Sequence, residues 1–183
     1  MRLTSDHINA AQVLLHQQFP TLGGLQSTLL DQTSSGFQAT TVEAIQIHHT
    51  RTTDHWVVSS TIEQRIRVID SLFDYLSDGT KTQLCELYGT NMTRNGFLFG
   101  SITLSQMQYG ADDCGLFAIA NALELASGTT DFSQVKFDQS AMRHHLIQCF
   151  ENGVLTAFPR ATKPVHMKGG RVFYIDVEKF ARR

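Results

Sequence analysis

The feature that most constrains the fold is an apolar helical segment just past the middle of the chain. From Cys114 to Ala126 nearly every residue is apolar, on all sides of a helix rather than along one stripe. Such a helix needs other elements to cover it all round, so the segment predicts a buried central helix in a layered core. A polar, turn-prone stretch, residues 108–113, runs directly into this helix, and Gly128 ends it.

Periodic patterns elsewhere predict helices at both ends of the chain and a mixed sheet between them. A first helix of about four turns is capped by Ser5 or Asp6 and ends before Pro20. Further helices are predicted over 80–88, closed by Gly89, and 140–150, and strands over 42–49, 56–61, 65–69, 97–104 and 172–177. Short polar turns make the first three strands adjacent and antiparallel. Residues 25–36 fit a loop or a short helix. The fold class is α+β, in one domain over 1–183.

Composition restricts the class of function. A chain of 183 residues usually forms one domain with a sizeable core. A net charge of −2 gives no basic surface for nucleic acid or an anionic membrane, and no apolar run is long enough to cross a bilayer. Three cysteines without a CxxC pair predict neither a disulfide framework nor a zinc-thiolate site, and favour a reducing compartment, cytoplasm or nucleus. The helical pattern begins almost at Met1, which is typical of a chain that starts at a domain edge.

Four residues together have the types that acyl transfer by a cysteine requires. Cys114 opens the apolar helix, where the helix dipole and unpaired N–H groups favour a thiolate. His55 begins one predicted strand and Asp70 ends the next, so antiparallel pairing would place an imidazole beside a carboxylate. Gln108 precedes the cysteine by one loop and offers an uncharged amide donor for an oxyanion.

Each of these residues also has a purely structural interpretation. A cysteine that opens an apolar helix is more often an inert core thiol, and Cys85 and Cys149, among apolar neighbours, are most simply core thiols. A histidine beside a strand is usually structural, and an aspartate after Val-Ile commonly caps a turn. The pairs His48-His49 and His144-His145 lack the spacing of a metal site, so no metal is expected. At least one of Asp112 and Asp113 should point away from the thiol or pair with a cation, because both would raise its pKa if they faced it.

The order and spacing of these residues resemble the ubiquitin-like-protein proteases, the Ulp or SUMO protease family of papain-like cysteine peptidases, to which adenovirus protease is related. The resemblance covers residues 3–159. It rests on His55-Trp56, on residues 68–72, on Gln108 followed by residues 113–117, and on the opening residues 3–9. The chain order His, Asp, Gln, Cys is that of this family, whereas papain runs Cys, His, Asn.

The resemblance implies a papain-like fold of the Ulp type and a role for each matched residue. His55 would be the general base, Asp70 its orienting partner, Cys114 the nucleophile and Gln108 the oxyanion donor. Trp56, Asp113 and Gly115 would contact substrate, with Trp56 as one wall of a narrow tunnel for a Gly-Gly tail; simple core packing is an equally good interpretation of Trp56. Where family members commonly carry a Trp as the other wall, this chain has Arg2.

The resemblance predicts a monomeric thiol hydrolase without a cofactor that cleaves after the Gly-Gly of a ubiquitin-like modifier such as SUMO, a Nedd-type modifier or ubiquitin. A processing protease of a virus-like or mobile element is an alternative with the same catalytic set. An acetyltransferase of the related bacterial effector type is another, although the chain shows no basic cluster for a polyphosphate activator. A binding module that keeps the fold without catalysis is the third.

Overall fold

The computed structural model describes residues 1–181 and contains a six-stranded mixed sheet with helices on both faces. The strands are β1 Gly23–Gly24, β2 Ala44–Thr50, β3 His55–Ser60, β4 Ile66–Ile69, β5 Phe97–Ile102, β6 Ser105–Gln106, β7 Met167–Lys168 and β8 Arg171–Asp176. The helices are α1 Ser5–Gln18, α2 Asp78–Met92, α3 Cys114–Ala126, α4 Gln139–Asn152 and α5 Val177–Phe180. The predicted α+β class is confirmed.

The large sheet has the order β1-β2-β3-β4-β5-β8, and β6 pairs with β7 in a separate small sheet. The pairs β2·β3, β3·β4 and β5·β8 are antiparallel, while β1·β2 and β4·β5 are parallel. The prediction of three adjacent antiparallel strands is therefore confirmed for β2, β3 and β4. Their short connections bring the start of β3 close to the end of β4, where His55 and Asp70 lie.

The predicted central helix is α3, and its observed bounds match the predicted ones. Every residue from Cys114 to Leu125 is buried, because α3 packs on β2 and β3 and is covered by α1 and α4. The opposite face of the sheet is covered by α2, through Leu84, Leu87 and Tyr88. Burying a large apolar side chain stabilises a fold by roughly 1.5–3 kcal/mol, so these two layers hold the first residue of α3 firmly against the sheet.

Several predicted boundaries were wrong. Helix α2 does not close at Gly89 but continues to Met92. Met92 packs against the hydrophobic cluster between α2 and the sheet, which we call the second core, and this contact offsets the cost of about 1 kcal/mol for a helical glycine. It also begins earlier, where the Ser77 hydroxyl accepts a hydrogen bond from the Thr80 N–H (3.1 Å). Residues 25–36, expected to form a loop or a short helix, contain a 3₁₀ helix over Thr28–Gln32, in agreement with that expectation.

A buried polar chain links β2, β3 and α2. Gln83 donates its amide to the His49 carbonyl (3.1 Å), which leaves its side-chain oxygen to accept from His48 Nδ1 (2.9 Å). His48 Nε2 then accepts from the Ser59 hydroxyl (2.6 Å), which in turn accepts from the Tyr88 hydroxyl (2.6 Å). Every donor in this series of hydrogen bonds has an acceptor only when His48 is neutral, because a protonated Nε2 could not accept from Ser59. Burial lowers the pKa of His48 to about 4, although the hydrogen bond that Nδ1 donates to Gln83 acts in the opposite direction.

Stability should therefore fall in mild acid. The pKa of His48 is about 4 when folded and 6.5 when unfolded, so the unfolded chain binds the proton more tightly. The contribution of neutral His48 to the free energy of unfolding is fully present above pH 6.5. It is lost as the pH falls towards 4, by about 3 kcal/mol in all. Urea unfolding between pH 7 and 5 should show this slope, and His48→Gln should flatten it. An equal slope in both proteins would assign the loss to other groups.

Candidate active site

The His55 and Asp70 side chains form a buried ion pair where β3 begins and β4 ends. Nε2 of His55 lies 2.7 Å from Oδ1 of Asp70, and the two residues are 2 and 4% exposed. The same carboxylate oxygen accepts the backbone N–H groups of Leu72 (2.8 Å) and Phe73 (2.9 Å), which fixes the carboxylate before it meets the ring. The Phe73 ring also packs edge-on against His55, at 5.0 Å between centroids.

Cys114 lies beside the same imidazole, at the first residue of α3. It is 1% exposed, and its sulfur is near enough to His55 to act on the proton affinity of the ring. Since Asp70 occupies Nε2, Nδ1 is the ring nitrogen left for the sulfur. The backbone N–H groups of the first turn of α3 have no helical partners, so they provide donors and a positive local potential at this point. The structure thus brings His55, Asp70 and Cys114 together.

The imidazole is held in its charged form. Burial lowers its pKa, but hydrogen bonding to Asp70 and the interactions with Cys114 outweigh burial and raise the pKa to about 9. His55 is therefore a cation at neutral pH, with one N–H directed to the carboxylate and the other available to the sulfur. An imidazolium beside a cysteine is the setting in which thiolate chemistry operates.

This charge state can be observed directly. We expect the ring nitrogens of His55 to titrate near pH 9 in ¹⁵N NMR spectra, well above the ordinary value for histidine. Cys114→Ala should lower that midpoint, because one group that stabilises the imidazolium is then missing. A His55 midpoint near 6.5 in the unsubstituted protein would contradict the proposed ion pair.

Gln108 is buried in the loop that leads to α3, and its amide is held in one orientation. The Ser71 hydroxyl donates to its side-chain oxygen (2.5 Å), and the Ser71 carbonyl accepts its backbone N–H (2.8 Å). One side-chain N–H bonds to the Gly110 carbonyl (3.0 Å), so the second remains free to donate. This orientation suits an oxyanion donor; that role remains a prediction.

Of the three residues predicted to contact substrate, Trp56 and Gly115 are buried and Asp113 is partly exposed. Trp56 is 3% exposed and donates its indole N–H to the Leu3 carbonyl (3.1 Å). Asp113 is the N-cap residue of α3, but its side chain makes no capping hydrogen bond; the carboxylate pairs with Arg143 (2.7 Å) and accepts from Gln139 (2.8 Å) instead. Gly115 follows the cysteine and lies directly under Leu3. Their roles in substrate binding remain predictions.

At least one of the two acidic residues before the thiol was expected to point away or to pair with a cation, and both have an arginine partner. Asp113 pairs with Arg143, and Asp112 lies 3.4 Å from Arg2. Cys85 and Cys149 are core thiols, as expected: they are 8 and 3% exposed and lie in the two separate hydrophobic clusters.

The solved structures that resemble this chain include two protein complexes. One is the C-terminal Ulp1 protease domain in complex with Smt3, the yeast orthologue of SUMO, with a TM-score of 0.59 and 14% identity over 83% of this chain and 77% of that one. The chain has the fold of the Ulp proteases. The other is the Xanthomonas campestris effector XopD bound to ubiquitin, with a TM-score of 0.50 and 13% identity over 80% of this chain and 90% of that one. No protein-family model and no curated protein sequence gives a significant match.

Within this Ulp-type fold, sequence reasoning missed several residues that support the site. Ser71 and Phe73 position Gln108 and His55, and their nearness to Asp70 in the sequence was the available signal. Lys168 donates its ammonium to the Phe73 carbonyl, and burial lowers its pKa against the pull of Asp70 and Asp74. It reaches the site through β7, far along the chain, so no local pattern indicates it.

No helix in the described part of the chain, residues 1–181, has the length and apolar character needed to span a membrane.

Proposed function

We propose that this chain is a cysteine protease that cleaves after the C-terminal Gly-Gly of a ubiquitin-like modifier, to mature a precursor or to release the modifier from a lysine. The observation that carries the proposal is the grouping of Cys114, His55 and Asp70 at the N-terminus of a buried helix. A thiol hydrolase needs this combination of nucleophile, cationic base and orienting carboxylate.

In the proposed reaction the thiolate of Cys114 attacks the carbonyl carbon of the last glycine. Negative charge moves to the carbonyl oxygen, where the free N–H of Gln108 and the backbone N–H of Cys114 stabilise it. His55 donates its proton from Nδ1 to the departing amine, the C–N bond breaks, and a thioester to Cys114 remains.

Water then completes the turnover. Neutral His55 accepts a proton from a water molecule as the oxygen attacks the thioester carbonyl, and the C–S bond breaks. The products are the carboxylic acid of the modifier, which releases its proton to solvent and becomes a carboxylate, and the thiolate of Cys114, with His55 again protonated. Asp70 stabilises the imidazolium at the beginning and end of this cycle and keeps Nδ1 directed to the sulfur.

The likeness to two proteins whose structures were solved with SUMO and with ubiquitin supports a ubiquitin-like partner. The burial of Cys114 and His55 gives independent support, because a buried sulfur is reached most easily by a flexible tail without side chains.

We further propose that the enzyme acts in a reducing compartment, since its reaction requires a free thiol and all three cysteines are unpaired.

The test is a panel of electrophilic probes built on ubiquitin, SUMO and a Nedd-type modifier, each with a reactive group at its C-terminus. We expect at least one probe to add its mass to the peptide that contains Cys114, and not to Cys114→Ala. If no probe reacts while labelled acetyl-CoA transfers its acetyl group to a protein, the acyltransferase alternative is correct and the protease proposal is wrong.

A further inference from the structure

The first residues of the chain lie across the gap between the base and the nucleophile. The Trp56 indole N–H holds the Leu3 carbonyl (3.1 Å), and the Leu3 side chain packs on α3 at Gly115, where an added Cβ would lie 3.0 Å from Leu3 Cβ. Leu3 is itself 8% exposed and part of the main core. This anchor fixes the position of its neighbour, Arg2.

Arg2 joins the two segments that carry the reacting side chains. Its Nη1 donates to the carbonyl oxygen of Asp54 (2.9 Å) and pairs with the carboxylate of the same residue (2.8 Å). Its Nε faces the carboxylate of Asp112 at 3.4 Å. Asp54 immediately precedes His55, and Asp112 lies two residues before Cys114. One guanidinium therefore bridges the two sides of the site, and we call these three residues the Arg2 bridge.

The Asp54 side of the Arg2 bridge is held in place from behind. His49 Nε2 lies 2.9 Å from the other carboxylate oxygen of Asp54, and the His49 ring packs on Trp56 at 4.5 Å between centroids. These contacts, first the hydrogen bond from His49 and then Arg2, keep the pKa of Asp54 below its ordinary value. The Asp54 carboxylate is therefore charged at neutral pH, although its side chain is largely exposed.

The reacting groups lie beneath these residues. Cys114 is 1% and His55 2% exposed, whereas the Arg2 side chain is 35% exposed. Through Asp54 and Asp112 the guanidinium is tied to the segments that precede His55 and Cys114 in the sequence. A molecule that approaches Cys114 between Asp54 and Asp112 meets the guanidinium that joins these two residues.

We infer that Arg2 is a specificity-determining residue, which closes the passage to Cys114 through the Arg2 bridge and admits an extended tail of small residues more readily than one with side chains. Exposed ion pairs stabilise a closed state only a few-fold each and are screened by salt. The closed state is therefore only weakly favoured. Removing both ion pairs should increase the population of the open state by up to about tenfold. The part of this inference that concerns substrates rests on the proposed function; the closure itself does not.

The closure is tested by the alkylation rate of Cys114, measured by peptide mass spectrometry with iodoacetamide and with a bulky iodoacetamide derivative. In Arg2→Ala we expect both rates to rise, by about three- to tenfold for the bulky reagent and less for the small one. Loss of a nearby cation alone would slow alkylation, because it disfavours the thiolate. The two explanations thus predict opposite signs, and an unchanged or slower rate would overturn the inference.

Salt and a second ion pair provide the controls. In the unsubstituted protein, the ratio of the bulky to the small rate should rise between about 0.02 and 0.5 M salt, since the Debye length shortens several-fold. The ratio in Arg2→Ala should already be high and should stay constant. Arg65→Ala removes an exposed ion pair with Glu63 (2.7 Å) in the β3–β4 turn and should behave like the unsubstituted protein. A salt response in Arg2→Ala equal to that of the unsubstituted protein would contradict the bridge.

Selectivity is tested with modifier substrates that end in Gly-Gly or Gly-Ala before the cleaved bond. We expect Arg2→Ala to reduce the preference for Gly-Gly, measured as a ratio of kcat/KM values, by about three- to tenfold. If cleavage occurs with unchanged selectivity, the inference about Arg2 is wrong while the proposed function stands. If alkylation changes as expected but no modifier is cleaved, the closure stands and the proposed function is wrong.

Discussion

Replacing Cys114 with alanine should abolish cleavage of a modifier substrate, with a loss in kcat of at least about 10⁴-fold. No other group near His55 can form the thioester, so what remains is only the electrostatic effect of the helix terminus and the oxyanion donors. The fold should survive, because the change removes one sulfur atom from a well-packed site and leaves α3 in place. Binding of the intact modifier, measured by calorimetry or polarisation, should be retained.

The other two cysteines supply the matched control. Cys85 lies in the second core and Cys149 on α4, both away from His55, and burial raises the pKa of Cys85 to about 11. Cys85→Ala and Cys149→Ala should therefore keep turnover within about twofold, at a modest cost in stability. Normal turnover by Cys114→Ala, or loss of turnover in either control without unfolding, would falsify the assignment of Cys114 as nucleophile.

The elements that sequence predicts best here are those with one dominant physical cause. Helix α3 was predicted with both of its bounds because an all-round apolar run, preceded by Asp112-Asp113 and followed by Gly128, has no other stable form than a buried helix. The closeness of His55 and Asp70 followed from short turns, since an antiparallel pair places the start of one strand near the end of the next.

What could not be predicted depends on contacts between distant, polar or very short segments. Strands β6 and β7 have two residues each, too few for any periodicity, yet their pairing delivers Lys168 to the Phe73 carbonyl. Arg2 is a charged, partly exposed residue, so no hydrophobic pattern indicates its partners, which are 52 and 110 residues away in the sequence. The end of α2 was misjudged because the burial of Met92 depends on the tertiary structure, whereas the penalty of Gly89 is visible locally.

Asp70 has two separable roles, because a single oxygen atom makes its orienting contacts. Oδ1 accepts from His55 Nε2 and from the backbone N–H groups of Leu72 and Phe73. An asparagine in the same rotamer could accept all three bonds through its own Oδ1, so Asp70→Asn would keep the ring in place and remove only the charge. Asp70→Ala would remove both the charge and the orientation, and would leave two backbone donors of a tight turn without their acceptor.

We therefore expect the two substitutions at Asp70 to differ in how much they lower kcat/KM and in how they change its pH dependence. Asp70→Ala should lower kcat/KM by about 10²–10⁴-fold at neutral pH, as is usual when a base loses its orienting partner. Asp70→Asn should lose less at neutral pH, but the alkaline limb of its pH profile should move down from about 9, because the carboxylate no longer raises the pKa of His55. The profile of kcat/KM from pH 6 to 10 distinguishes the two roles. An unshifted alkaline limb in Asp70→Asn would mean that orientation alone explains the effect of Asp70, and that its charge does not maintain the imidazolium.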